Sequence, residues 1–118
     1  MTIDDFKKLE LRVGRVLEVT AHPAADRLYV LRVDLGPQPP SGPDGTSGGR
    51  DIRQLVAGVR PWYTPEELTG KQVVVVANLE PAVIRGEASN GMILAVLDED
   101  GLAVVTMDRP VSEGCRVS

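Results

Sequence analysis

The chain has 118 residues, of which 42% are hydrophobic, and a formal net charge of −4. This length predicts a single domain, residues 1–118, with a core of its own. No apolar run reaches the roughly 18 residues of a membrane span. The first ten residues, "MTIDDFKKLE", lack the apolar centre of a secretory signal. Both observations favour a location in the cytoplasm. One cysteine and one histidine argue against an internal disulfide, a metal site and nucleophilic catalysis.

The acidic balance argues against strong attraction of nucleic acid, because phosphate binding depends on Lys and Arg. The acids are concentrated near the end of the chain, where residues 91–118 carry five acids and two bases. A local basic surface elsewhere therefore remains open.

Alternating apolar and charged residues predict two strands, over 9–19 and 28–35. Gly14 lies within the first strand, where a bulge or a bend of a barrel is expected. Residues 37–50 are rich in proline and glycine and predict an exposed, poorly ordered loop. Strand character returns over 52–59, so this loop is interpreted as the tip of a long hairpin.

Residues 64–70 predict the only convincing helix of the chain. Thr64 caps it, Glu67 closes a capping box, and Gly70 ends it. Four consecutive valines then predict a buried strand, and "MILAVLD" and "LAVVTM" form a hairpin around "DEDG". We therefore predict an all-β fold, namely a five-stranded OB-type barrel with one short helix between strands 3 and 4, plus terminal extensions.

Five separated segments carry a resemblance that covers nearly the whole chain. They are "DFKKLELRVGRVLEV", "HPAADRLYVLRVDLG", "RQLVAGV", "YTPEELTGKQVVVVANLEP" and "IRGEASNGMILA". In this order they resemble the tRNA-binding domain that occurs in the carboxy-terminal part of bacterial methionyl-tRNA synthetase, in EMAP II and as a free-standing dimeric protein. The secretion chaperone CsaA forms a related branch.

The resemblance implies a non-catalytic, structure-selective module that binds tRNA without a cofactor or a metal. It also implies a homodimer formed through the flanks Ile3 to Leu9 and Gly101 to Ser118, and an aminoacyl-tRNA synthetase as a further partner. The alternative is a CsaA-like export chaperone or protein-interaction dimer, which the acidic balance favours. An enzyme built on an OB barrel is disfavoured, because no paired carboxylates accompany a base or a metal ligand.

The resemblance places the RNA face on residues 78–92 and on basic positions nearby. Arginine suits phosphate binding, and short polar side chains offer hydrogen bonds to RNA. The implied RNA-binding residues are Arg27, Arg53, Asn78, Arg85, Ser89 and Met92, although a place in the core is the more common role for a residue such as Met92.

Three departures weaken the expected interaction. Glu80 and Val83 stand where many relatives carry lysine, and Ala24 stands where asparagine is common. We therefore expect tRNA binding to be weak and sensitive to salt.

Overall fold

The computed structural model describes residues 1–38 and 49–118. Within these ranges the chain forms nine strands and two short helices. In chain order they are α1 (Ile3–Lys7), β1 (Leu11–Ala21), β2 (Tyr29–Pro37), β3 (Arg50–Ala57), α2 (Pro65–Leu68), β4 (Gln72–Val76), β5 (Ala82–Ile84), β6 (Glu87–Ser89), β7 (Met92–Ile93), β8 (Ala95–Asp98) and β9 (Gly101–Val104).

Five of the strands form one antiparallel sheet in the order β3-β2-β1-β4-β7, while β5-β6 and β8-β9 are separate hairpins. The long strand β1 bends the sheet, because residues 11–15 pair with β4 whereas residues 15–21 pair with β2. The curled sheet confirms the prediction of an all-β, OB-like fold.

The two edges of the curled sheet, β3 and β7, are brought together by the segment between β6 and β7. The amide of Asn90 donates to the carbonyl of Gln54 at 2.9 Å, and the Gln54 side chain donates to the carbonyl of Ala88 at 2.9 Å. Residues 88–90 therefore close the barrel beside β3.

The irregularity expected at Gly14 lies three residues further along β1. The register with β2 shifts between Val16 and Glu18. Close packing is what requires glycine at position 14, because a Cβ added to Gly14 would lie 2.5 Å from Val33 Cγ1 and 2.9 Å from Leu35 Cδ2. The missing side chain allows β1 to pass close over the core.

The core explains the run of valines in β4. Val73 and Val75 are buried in the main cluster with residues of β1, β2 and β3, whereas Val74 and Val76 are buried against Leu11 on the other face. A strand buried on both faces has no polar alternation, and each such side chain contributes about 1.5–3 kcal/mol when fully buried.

Helix α2 follows β3 and precedes β4, and its start has the predicted capping box. The Thr64 hydroxyl accepts from the amide of Glu67 at 3.2 Å, and the Glu67 carboxylate accepts from the amide of Thr64 at 2.9 Å. This backbone hydrogen bond lowers the pKa of Glu67.

The expectation of a single helix is wrong for the described residues, because α1 is a second helix. Thr2 and Asp5 form its capping box, and none of its residues is buried. At about one and a half turns, α1 is too short to show apolar periodicity in the sequence.

The end of the chain completes the sheet. We call residues 111–117 the C-terminal segment. The amide of Val13 donates to Cys115 O at 3.0 Å, and the amide of Val117 donates to Leu11 O at 2.8 Å. Strand β2 pairs with β1 only from Arg15 onwards. The C-terminal segment thus occupies the same edge of β1 over the residues that precede Arg15.

The centre of the predicted loop at 37–50 lies outside the described residues. At its two ends Pro37 pairs with Arg50, and the amide of Gln38 donates to Gly49 O at 2.8 Å. Strands β2 and β3 therefore extend into both ends of that loop.

Candidate nucleic-acid interface

Arg85 lies at the tip of the β5–β6 hairpin. Ile84 pairs with Glu87, which leaves Arg85 and Gly86 as the two turn residues, and their φ angles are +53° and +92°. Two positive φ angles are typical of a type I′ hairpin turn, which favours Asn and Gly. An arginine costs about 1–2 kcal/mol in this backbone conformation, and strain at an exposed side chain suggests a functional reason for the residue.

The hairpin tip faces the loop between β1 and β2. Residues 24–28 of this loop and Arg85 line an open cleft of about 500 Å³, which we call the loop cleft. Arg85 donates one hydrogen bond to the carbonyl of Ala24 at 3.2 Å, and its side chain is otherwise exposed. Arg27 is exposed in the same cleft, and Asp26 is the one acid among the lining residues.

Arg60 contacts the loop that lines the loop cleft. Its Nη1 donates to the carbonyl of Ala25 at 3.2 Å, and its guanidinium carbon lies 6.0 Å from the centre of the Tyr29 ring. Sequence reasoning missed Arg60, because the segment around it carries no recognisable motif.

Arg53 lies apart from this cleft and is held within the protein. Its Nε and Nη2 donate to the two carboxylate oxygens of Asp51, both at 3.1 Å. Its Nη1 donates to Ala77 O at 2.6 Å and to Asn90 O at 3.1 Å. These four bonds give Arg53 a structural task, and RNA contact by this residue stays a prediction.

Asn78 and Ser89 are also engaged in internal hydrogen bonds. The Asn78 amide accepts from the amide of Glu10 at 2.9 Å and donates to Lys8 O at 2.6 Å, although the residue is exposed. The Ser89 hydroxyl is buried, accepts from the amide of Val56 at 3.0 Å and donates to the carbonyl of the residue two places along at 2.9 Å. Barrel closure therefore buries the Ser89 hydroxyl, and RNA contact by this residue stays a prediction.

Met92 lies on the surface and not in the core, with 52% of its area exposed. It lines a small recess of about 160 Å³ together with Leu79, Glu80 and Ile84. Val83, which is 76% exposed, lies between two lining residues of β5 and points to the opposite face of that strand. We call Leu79 and Met92 the apolar ledge.

The predicted set therefore divides into three groups. Arg27 and Arg85 meet in the loop cleft, Met92 lies on the apolar ledge, and Arg53, Asn78 and Ser89 tie segments of the barrel together.

Neither a metal-ligand cluster nor a membrane-spanning helix is present within residues 1–38 and 49–118. No group of three His, Cys, Asp or Glu side chains there has an arrangement that would hold a metal ion. No helix in those ranges is long and apolar enough to cross a membrane.

Comparison with known proteins identifies the family. Residues 45–116 match the family described as "Putative tRNA binding domain". The chain belongs to this family. The match includes β3, the β5–β6 hairpin and most of the C-terminal segment.

Relatives of this tRNA-binding domain occur within methionine–tRNA ligases. The ligase of Thermococcus kodakarensis is 46% identical over 117 residues, which are 99% of this chain and 14% of that protein. The ligase of Thermotoga maritima is 42% identical over 118 residues, which are 100% of this chain and 17% of that protein. The chain thus spans a small fraction of the length of these curated relatives.

Solved structures confirm the resemblance to both branches of the family. A MetRS-related protein from Pyrococcus horikoshii has a TM-score of 0.82 at 29% identity, with 100% of this chain and 97% of that chain covered. The CsaA chaperone protein from Picrophilus torridus has a TM-score of 0.82 at 26% identity, with 100% and 99% covered. The tRNA-binding domain therefore shares its fold with proteins from both branches.

Proposed function

We propose that this domain binds folded tRNA through the loop cleft and the apolar ledge, and that it does so without catalysis or a cofactor. The observation that carries the proposal is the position of Arg27 and Arg85 in one cleft of a chain that belongs to the tRNA-binding family. We also propose that the domain acts in the cytoplasm, because tRNA is its proposed partner.

The chemistry of the two arginines suits a phosphate backbone. A guanidinium has five N–H donors, and Arg85 uses one of them on Ala24 O. Arg27 has no hydrogen-bond partner within the described ranges. Both groups can therefore donate paired hydrogen bonds to phosphate oxygens, and the apolar ledge offers an uncharged surface for riboses and base edges.

The expected affinity is low. Two phosphate contacts predict a slope of about −1.4 to −1.8 in a plot of log affinity against log salt concentration. The net charge of −4 and the carboxylate of Glu80 beside the ledge oppose the approach of RNA. Binding should therefore be measured first at low salt.

Filter binding of total tRNA between 50 and 200 mM salt tests the proposal. Arg85→Gly keeps the turn geometry, because glycine readily adopts a positive φ, and removes the guanidinium. We expect it to weaken binding by about 1–3 kcal/mol and to reduce the salt slope by about one unit. Arg85→Lys, which keeps the charge, is the matched control, and equal tRNA affinity in wild type and Arg85→Gly would overturn the proposal.

Chaperone activity is the second candidate, favoured by the likeness to CsaA and by exposed apolar side chains. Val83, Val96 and Leu97 are 76%, 60% and 69% exposed, and such surfaces can bind unfolded clients. If this candidate is right, the protein suppresses aggregation of a denatured client, Arg85→Gly has no effect on that activity, and tRNA does not bind at 50 mM salt.

We also propose that the domain forms a homodimer and that an aminoacyl-tRNA synthetase is a further partner. The β8–β9 hairpin exposes Val96 and Leu97, and α1 exposes Ile3, so association would remove these side chains from water. Light scattering at micromolar concentration should give a dimer mass for the wild type and a monomer mass for Leu97→Lys. A monomer mass for the wild type would refute the dimer.

A further inference from the structure

His22 is the histidine of this chain, and its imidazole is only 3% exposed. It follows β1 directly and opens the loop that lines the loop cleft. Its Nδ1 accepts a hydrogen bond from the amide of Ala24 at 3.0 Å, so this nitrogen carries no proton. The proton of the neutral ring is then on Nε2, which lies 3.0 Å from the carbonyl oxygen of Ile84 and donates to it.

The imidazole thus bridges the two walls of the loop cleft. Ala24 belongs to the loop, whereas Ile84 directly precedes the hairpin tip. The same loop residue is held a second time, because its carbonyl accepts from Arg85 Nη2 at 3.2 Å. The loop and the hairpin are therefore joined twice at Ala24: through its amide by way of His22, and through its carbonyl by way of Arg85. The connection through His22 is buried.

We propose that His22 is a positioning residue for tRNA binding. It holds the loop that carries Arg27 at a set distance from the hairpin that carries Arg85, so that both guanidinium groups meet phosphates of one RNA molecule. The buried ring does not touch the RNA itself. The inference rests on the proposed function, since it concerns the geometry of the same cleft.

Positioning matters here because the two arginines lie on separate segments. A guanidinium contributes fully only when its donors meet phosphate oxygens at hydrogen-bond distance, and ordering a mobile loop at the moment of binding lowers affinity. A bridge that exists before binding removes this cost.

Two substitutions separate the bridge from the bond within the loop. In His22→Asn the side-chain oxygen can still accept from the amide two residues on, as in an Asx-turn, but the side chain is too short to reach Ile84 O. In His22→Gln the terminal amide can donate to Ile84 O in place of Nε2. We expect tRNA affinity to fall about 3- to 10-fold in His22→Asn and to stay within about twofold of the wild type in His22→Gln.

A double-mutant cycle with Arg27→Gln distinguishes positioning from a general effect on folding. Arg27 has no contact with the imidazole, so the two substitutions share no bond. If His22 positions one arginine relative to the other, His22→Asn should cost less than about twofold in affinity once Arg27 is gone. The same loss in both backgrounds would overturn the inference.

Melting temperatures and a nitrogen NMR spectrum complete the test. The spectrum of the wild type should show the proton on Nε2 and an Nδ1 that accepts a hydrogen bond. Equal losses of affinity in His22→Asn and His22→Gln, each in proportion to lost stability, would also overturn the inference. Wild-type protein that binds no tRNA would instead refute the proposed function, whatever the His22 variants do.

Discussion

Replacement of Arg53 by alanine should unfold the domain more easily, and the reason is structural. The guanidinium joins three segments: Asp51 in β3, Ala77 at the end of β4 and Asn90 before β7. Its side chain is 25% exposed, so these bonds are partly shielded from water. Arg53→Ala removes all four hydrogen bonds at once.

The magnitude follows from the groups left behind. Two carbonyl oxygens lose a charged donor, and a buried polar group left without a partner costs about 1–3 kcal/mol. Partial exposure admits water and reduces this cost, and Arg12 stays 3.7 Å from Asp51. We expect a loss of about 2–4 kcal/mol in the free energy of unfolding, or roughly 8–16 °C in melting temperature for a domain of this size.

Thermal and urea unfolding followed by circular dichroism measure this loss. Arg53→Lys should fall between wild type and alanine, because one ammonium group cannot serve all three partners. Arg85→Gly is the comparison at an exposed arginine, and its melting temperature should not fall, because glycine relieves the strain of the positive φ and only one hydrogen bond is lost. An Arg53→Ala protein that melts within about 2 °C of the wild type would refute the structural role.

Three further changes test other parts of the structure. The hydrogen bond from Arg15 lowers the pKa of the Glu113 carboxyl below its ordinary 4.5. The stability that the ionised carboxylate adds is therefore present above the ordinary pKa and is lost as the pH falls through the lower pKa of the folded state. The difference in melting temperature between wild type and Glu113→Gln should shrink between about pH 5 and pH 3, and a constant difference would contradict this prediction. Glu80→Lys combined with Val83→Lys should tighten tRNA binding and steepen the salt slope by up to about two units, whereas unchanged binding would show that RNA lies elsewhere. Gly14→Ala should cost about 1–3 kcal/mol in urea unfolding because of overpacking, whereas Gly58→Ala, whose added Cβ would meet one atom at 3.8 Å, should be tolerated.

The strands β1 to β4 were predictable because their cause is local, whereas the short hairpin β5–β6 and the division of 92–98 into β7 and β8 were not predicted. Alternation and the run of valines report directly which side chains are buried, and the capping box around Thr64 involves residues three apart. The bulge beyond Val16 was not predictable, since it depends on how β1 changes neighbours from β4 to β2. Helix α1 was missed because its few residues bury nothing.

The candidate site was only partly predictable, because several of its side chains bond to residues that are far apart in the sequence. The resemblance identified Arg27 and Arg85, whose side chains point away from the barrel into one cleft. It could not separate them from Asn78, whose partners lie 68 and 70 positions away, or from Ser89, whose partner amide lies 33 positions away. Bonds over such separations depend on barrel closure, and short motifs do not encode it.

The C-terminal segment has a consequence for how the protein meets other chains. An uncovered strand edge invites a foreign strand to continue the ladder, but here the free edge of β1 is already paired by residues of the same chain. Any lasting contact with another molecule along this edge must therefore use side chains, whose fit is selective, and not the backbone, which accepts any extended peptide. Chains truncated before residue 111 should lose this selectivity and gain a tendency to form aggregates rich in β-structure.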